Sequence, residues 1–384
     1  MKLLLVGYTT RNYFGGMETY MRHLQRGLHK RGVFVESIYL DDAVSPLRWK
    51  LIKLAALVQS LGRRDYYRVY AVQSFMNYLA KATKEKLEKF RPDLIHAQDI
   101  SSAAAIAPFA TAAGIPIAMT DPGGIFLKSE GKRYQALITR NKETAFRSVR
   151  AIICYTVEHM HAILVHQAPS VRFFVVPNAI DVDHFITSGR GENPFPVRPY
   201  ILVVARLLPY KGIDIAIRAF YQVIKSHPEF RLVLAGEGPL YKELKVLTTS
   251  LRLEKSVFFL GAVPQKKLPL LYRDAEIVWV PSVARGGTIE LFSIVSLEAM
   301  AFSKPIVVTK EGGPAEIFRE GGAILVPPGD PDALAEATLE ILRNPELAKK
   351  LGEEAGIIVR KRYNFDLWID KMIKIYQEII TSQL

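Results

Sequence analysis

Short apolar runs alternate along nearly the whole chain with stretches whose apolar positions recur every three or four residues. This alternation predicts a mostly parallel α/β sheet: strands buried on both faces read as unbroken apolar runs, and the crossovers between them are helical. In the first half the pattern predicts strands at 2–6, 33–39, 93–97, 115–120, 151–154 and 171–176. A loop rich in Gly, Pro and polar residues follows at 187–199, and the series then restarts at 200–205, 231–235, 257–260, 276–281, 305–309 and 323–326. Composition of this kind marks a domain boundary. The expected organisation is therefore one α/β half at 1–188, a second at 189–365, and a closing helix at 366–384 that packs back on the first half. Leu367, Met372, Ile373, Ile375, Tyr376 and Ile379 are the apolar positions of that helix.

One helical stretch stands out. From Pro46 to Gly62, Leu47, Leu51, Leu54, Leu57 and Leu61 fall on one face, and Arg48, Lys50 and Lys53 lie among them. Two readings are open: a core-facing helix with a solvated basic side, or a surface helix that meets a membrane or an acceptor. The charge bears on this, because the formal net value of +13 draws nucleic acid, anionic membrane or phosphorylated small molecules. Zinc-finger spacing, an RNA-recognition motif and aromatic-interleaved basic repeats are all missing, so nucleic acid is not an expected partner. With 384 residues, 49% of them apolar, the chain can bury substantial cores, and no run approaches the roughly 20 apolar residues that span a bilayer. The single cysteine, Cys154, sits in an apolar run and reads as a buried thiol. The expected location is the cytoplasm, with peripheral contact at the inner membrane face as a further reading.

The chemistry lies in loops after the second series of strands. Arg206 follows the first of these strands, and Lys211 and Gly212 open the next helix, so two cations point where a phosphate would sit. Gly236 and Gly238 form a turn that permits close backbone approach, although such turns also serve as plain connections. Glu290 and Glu298 stand eight positions apart. With a helix starting near Ser293, Glu290 lies on the preceding loop, and the amides of 292–295 are free for an anion. Glu298 then sits little more than one turn inside, where it could accept from a ribose diol, and its apolar neighbours mean that a buried carboxylate there needs a partner.

These residues resemble glycosyltransferase family 4, the large retaining family of glycosyl transferases group 1 with the GT-B fold. The resemblance is carried by Gly15, Gly16 and Glu18 after the first strand; by His96; by Asn178, Asp181 and Phe185; and by Arg206, Lys211 and Gly212. It continues through Gly236, Gly238 and Pro239, Gly261, Val263 and Pro264, Pro281 and Ser282, the Glu290/Glu298 pair, and Gly312 and Gly313 before Glu316. It implies two Rossmann-like domains facing a central cleft. It also implies transfer of a sugar from a nucleotide diphosphate sugar to an acceptor hydroxyl on a glycan or a lipid-linked molecule, with no cofactor and no metal. Carried over to this chain, Arg206 and Lys211 would bind the diphosphate, with Gly15 and Gly16 approaching it from the other domain. Glu290 would contact the transferred sugar, and Phe292, Ser293 and Ile294 would offer backbone donors. Glu298 would hold the ribose, Val263 would meet the base through its backbone, and Gly236 would line the donor site.

The chain departs from the family pattern in places. Asp121 stands where members often carry a histidine; it could bind a sugar hydroxyl or act as a base, but Asp before Pro122 and Gly123 also forms turns. His96 reads as either a core histidine or a substrate contact. Ala179 and Ser303 replace frequent glycines, and Arg285, in a longer loop before Glu290, reads as solvent-facing or as a further anion contact. A nucleotide-sugar epimerase of the same fold, or a noncatalytic binder of anionic ligands, are the alternatives to transfer.

Overall fold

A computed structural model of the chain describes residues 1–10, 16–120, 132–164 and 171–382. Its contacts divide it into two units: Met1–Val176 with Trp368–Leu384, and Pro177–Leu367. The first unit holds strands β1 (Lys2–Val6), β2 (Phe34–Ile38), β3 (Leu94–Ala97), β4 (Ile117–Thr120), β5 (Ala151–Cys154) and β6 (Arg172–Val175). All pair in parallel, in the order β2-β1-β3-β4-β5-β6. The central strands β3, β4 and β5 are buried along their whole length, which explains their unbroken apolar runs. Cys154 ends β5 as a buried free thiol.

The chain's last helix, Phe365–Thr381, delivers the C-terminal segment to this first unit. Trp368, Ile369, Met372, Ile375, Tyr376 and Ile379 form its buried stripe. Leu367, expected to face inward, is exposed instead because it falls outside that three- and four-residue spacing. Polar contacts fix the same docking: Lys371 Nζ donates to the Val175 carbonyl at 2.9 Å, and Arg172 pairs with Glu378 at 2.9 Å, both on the edge strand β6.

Helix Pro46–Ser60 is capped by Ser45, whose side chain accepts from the Arg48 amide. The leucines do share a face, as their spacing predicts, but that face is not the one directed to the core. Leu47, Leu51, Leu54, Leu57 and Leu61 are all exposed, while Ile52, Ala56 and Ser60 are buried. The core-facing reading of the stripe is thus corrected. Ile52 and Ala56 already occupy the contact with Ala71 and Phe75 of helix Arg64–Phe90, and a helix presents only one side to one neighbour.

The second unit holds β7 (Tyr200–Val204), β8 (Arg231–Ala235), β9 (Val257–Gly261), β10 (Ile277–Val280), β11 (Ile306–Thr309) and β12 (Ile324–Val326). These too are parallel, in the order β12-β11-β10-β7-β8-β9. The division at Val176 and Pro177 lies upstream of the boundary expected at 188/189. Ile180, Val182, Phe185 and Phe195 bury their side chains in the second unit's core, and Ile180 bridges to Asn364, so the loop at 187–199 belongs inside this unit.

Candidate functional site

In the second unit the strand order reverses between β7 and β10, the point where open α/β sheets bind ligands beyond their carboxyl ends. Two loops meet there. The loop after β7 turns through Pro209–Lys211 onto Gly212, whose φ of 62° is left-handed. A Cβ on Gly212 would stand 1.9 Å from the Pro281 carbonyl oxygen, so only glycine lets this loop lie on the residues that follow β10. The Val283 amide donates to the Tyr210 carbonyl at 2.8 Å and closes the contact.

This approach places Lys211 against the segment that carries Glu290. Lys211 Nζ forms an ion pair with Glu290 Oε1, and Ser282 Oγ donates to Glu290 Oε2. Both charged side chains are largely buried, with 15% and 8% exposed. The Glu290 carbonyl accepts from the Gly313 amide at 2.8 Å, and Thr309 Oγ1 donates to the Ser282 carbonyl. Glu290 is thereby fixed from three strands' ends. Lys211, Ser282, Glu290 and Ser293 line a cavity of about 10 Å³, room for a single water at most.

Helix Ile294–Ala301 starts immediately beside them, with Ser293 as its N-cap accepting from the Ser296 amide at 3.2 Å. The first-turn amides of such a helix have no carbonyl partner within it and favour an anion. Ile294 is its first residue, and Phe292 packs edge-on to Tyr363 just before it. Glu298 lies further in and is buried. It accepts from Tyr272 Oη at 2.8 Å, the partner that its apolar surroundings require. Burial pushes the Glu298 carboxyl up to about 7 despite this hydrogen bond.

The remaining sequence-predicted positions spread over the same end of the sheet. Arg206 is exposed on the loop that carries Lys211. Gly236, at φ 147°, would put a Cβ 1.9 Å from the Ala205 carbonyl, so the turn after β8 rests directly on the end of β7. Its amide donates to the Gly261 carbonyl at 2.8 Å, and half-buried Val263 follows that residue beyond β9, two strands from β7. Arg285 makes two 3.0 Å contacts to Asp214, so an internal carboxylate already occupies the anion role suggested for it. Ser282 and Tyr272 hold the two glutamates, and no motif assigns either residue that role. Ser282 follows Pro281 directly after a strand, a usable signal; nothing local links Tyr272 to Glu298.

In the first unit, Gly16 opens helix Gly16–Lys30, and beyond its own helix no described residue comes within 4 Å of where its Cβ would be. Gly15 and Asp121 lie outside the described residues. His96 is fully buried between Tyr376 Oη at 2.7 Å and Thr120 Oγ1 at 2.8 Å, and burial lowers its pKa to about 3. It is a core histidine that ties β3 to the C-terminal helix. Asp99, at the end of the same strand, caps helix Ile100–Ala112 through Ser102 and accepts from the Tyr8 amide at 2.9 Å, joining the ends of β1 and β3.

With this geometry in hand, two family models account for most of the chain. The one described as Glycosyltransferase Family 4 matches residues 14–184, and the one described as Glycosyl transferases group 1 matches 189–356. The chain belongs to glycosyltransferase family 4. A D-inositol 3-phosphate glycosyltransferase of Segniliparus rotundus is 26% identical over 385 residues, covering 94% of this chain and 84% of that one. A GDP-mannose-dependent alpha-(1-6)-phosphatidylinositol monomannoside mannosyltransferase of Mycolicibacterium smegmatis is 28% identical over 52% of this chain and 53% of its own length. The chain spans about half the length of most of the first curated relatives it matches. Among solved structures, Anabaena HepE in complex with UDP-glucose superposes with a TM-score of 0.73 at 19% identity, covering 98% of this chain and 100% of that one. The fold of this family 4 chain is accordingly GT-B, with two Rossmann-like domains.

Proposed function

We propose that this chain is a retaining glycosyltransferase that moves a sugar from a nucleotide diphosphate sugar to an acceptor hydroxyl. The observation that carries the reading is the Lys211, Glu290 and Ser282 cluster at the β7/β10 reversal, beside a helix N-terminus, in a member of this family. Breaking the sugar–phosphate bond builds negative charge on the diphosphate and positive charge on the anomeric carbon. Lys211, Arg206 and the amides after Ser293 would stabilise the first, without a metal. Glu290, held by Lys211 and Ser282, would face the sugar, Glu298 would take the ribose hydroxyls, and the backbone at Val263 would meet the base. Retention follows where the acceptor attacks the face that the diphosphate leaves and a phosphate oxygen takes the acceptor proton, so no enzymic nucleophile is needed.

The acceptor is proposed to be a glycan or lipid-linked molecule, in glycan biosynthesis at the cytoplasmic side of a membrane. The M. smegmatis relative is named for phosphatidylinositol monomannoside, which supports a lipid-linked acceptor, whereas the S. rotundus relative is named for D-inositol 3-phosphate. The M. smegmatis relative is named as GDP-mannose-dependent, whereas the Anabaena protein was solved with UDP-glucose, so the donor base is left to experiment. A thermal-shift screen against UDP, GDP, ADP and their sugar conjugates, with EDTA and then with magnesium, tests the donor half. Stabilisation by one nucleotide class in EDTA is expected, at about 2.7 kcal/mol for ligand at one hundred times Kd. No shift with any nucleotide would remove donor binding. With the donor known, Arg206→Ala should lower turnover about a hundredfold or more, equivalent to roughly 2.7–4 kcal/mol. A variant within threefold of the parent would take Arg206 out of the reaction.

A further inference from the structure

Helix Pro46–Ser60 has two apolar faces, and the described residues of the first unit cover only one. Trp49, Ile52, Ala56 and Ser60 recur at three and four residues and seat the helix on Arg64–Phe90. Leu47, Leu51, Leu54, Val58 and Leu61 recur in the same way and are exposed, Leu47 by 69% and Leu61 by 85%. At about 100° per residue, the exposed stripe is centred half a turn away from the buried one. A helix apolar on all sides belongs inside a large core or against lipid, and contiguous exposed stripes of this kind mark contact surfaces. Leu61 sharpens the point. Its backbone is left-handed, with φ 50°, a conformation that disfavours a side chain, and its side chain packs into no core in return.

The charges beside the stripe identify what it meets. No acidic residue lies between Asp42 and Asp65, whereas Arg48, Lys50, Lys53, Arg63 and Arg64 do. Arg48 flanks the leucines on one side, with Lys50 and Lys53 on the other, by the same helical spacing. Lys53 Nζ stands 5.4 Å from the Trp49 ring centroid, its stem lying along the helix. A second copy of the chain would bring identical cations face to face, so like charges oppose self-association through this stripe. A diffuse anionic surface with an apolar layer beneath it matches both features. No helix among the described residues is long and apolar enough to cross a membrane, so the contact is one of lying on the surface.

We infer that helix Pro46–Ser60 docks on an anionic lipid bilayer, with Leu47, Leu51, Leu54 and Leu61 entering the acyl boundary and the flanking Lys and Arg side chains meeting headgroup phosphates. This deepens the membrane reading proposed above and gives it a surface. It does not depend on the donor chemistry, because the helix belongs to the first unit and the Lys211 cluster to the second.

Flotation of the full chain with vesicles of phosphatidylcholine alone, or mixed with phosphatidylglycerol, tests it. Binding is expected only to the mixed vesicles and should weaken as salt rises. The Leu51→Ser/Leu54→Ser variant should bind at least about tenfold less, with an unchanged unfolding temperature because both positions are exposed. A polarity-sensitive fluorophore on Leu57→Cys, feasible because the one native thiol is buried, should shift to the blue on mixed vesicles. The inference is overturned if the parent does not float at low salt or if the double variant floats as well as the parent. It is equally overturned if the parent sediments as a dimer that the double variant disrupts while neither binds vesicles. Retained flotation without any nucleotide-induced thermal shift would sink the transfer reading and leave this one standing.

Discussion

Glu298 is the residue whose environment makes the sharpest claim. Its carboxyl would lose its proton near 4.5 in the unfolded chain but holds it to about 7 in the fold, where burial outweighs the Tyr272 hydrogen bond. Folding therefore takes up a proton between those values, so this group's contribution is lost as pH rises through the window, by at most about 3 kcal/mol. Glu298→Gln keeps the shape and an acceptor for Tyr272 but cannot ionise. Urea unfolding should show the variant gaining on the parent from pH 4.5 to 7 and exceeding it at pH 8 by about 2 kcal/mol. Parallel pH profiles would mean that the carboxyl is solvated rather than buried. Ser303 offers a second test. It follows the helix that carries Glu298 and adopts φ 50° where glycine is the usual C-terminal residue. Ser303→Gly should stabilise by about 0.5–1 kcal/mol through relief of that conformation. A loss of stability would show that the hydroxyl's contacts outweigh the backbone cost.

At the scale of elements, helix Ile294–Ala301 is held at its start by the Ser293 cap and is short enough to depend on it. Ser293→Ala should cost about 1 kcal/mol and Ser293→Gly only a few tenths, in urea titrations. Equal costs would mean that the side chain packs rather than caps. The same helix start was readable from the sequence, as was every strand from β1 to β12; the central strands, buried on both faces, give continuous apolar runs bounded by turn residues. Helix Pro46–Ser60 was readable only in part. Periodicity groups the leucines on one face but carries no information about which face is inside, and the seam actually used contains Ala56 and Ser60, which draw no attention. Glu298 shows a similar limit. Its need for a partner follows from apolar neighbours, yet Tyr272 reaches it only through the packing of separate helices. The Lys211–Glu290 pairing is likewise a product of topology, since it requires β7 and β10 to be neighbours although β8 and β9 intervene in sequence.

For the whole molecule, the decisive feature is that the chain leaves its first unit at Val176 and returns to it at Trp368. The returning segment contributes Trp368, Ile369, Met372, Ile375, Tyr376 and Ile379 to the buried interior, and Tyr376 satisfies the buried His96. Removing it would expose a contiguous apolar face and leave His96 Nδ1 without its Tyr376 partner. The second unit has no such debt, because its core and its edge bridge from Ile180 to Asn364 lie within Pro177–Leu367. A fragment of residues 177–367 should therefore fold alone, with a cooperative thermal transition and dispersed amide resonances. A fragment of residues 1–176 should not do so until a peptide of residues 368–384 is supplied, when circular dichroism should gain both helix and cooperativity. Cooperative folding of 1–176 by itself would show the C-terminal helix to be an accessory layer. Failure of 177–367 would show that the second unit depends on contacts beyond its own core, and either result would redraw the division of the chain.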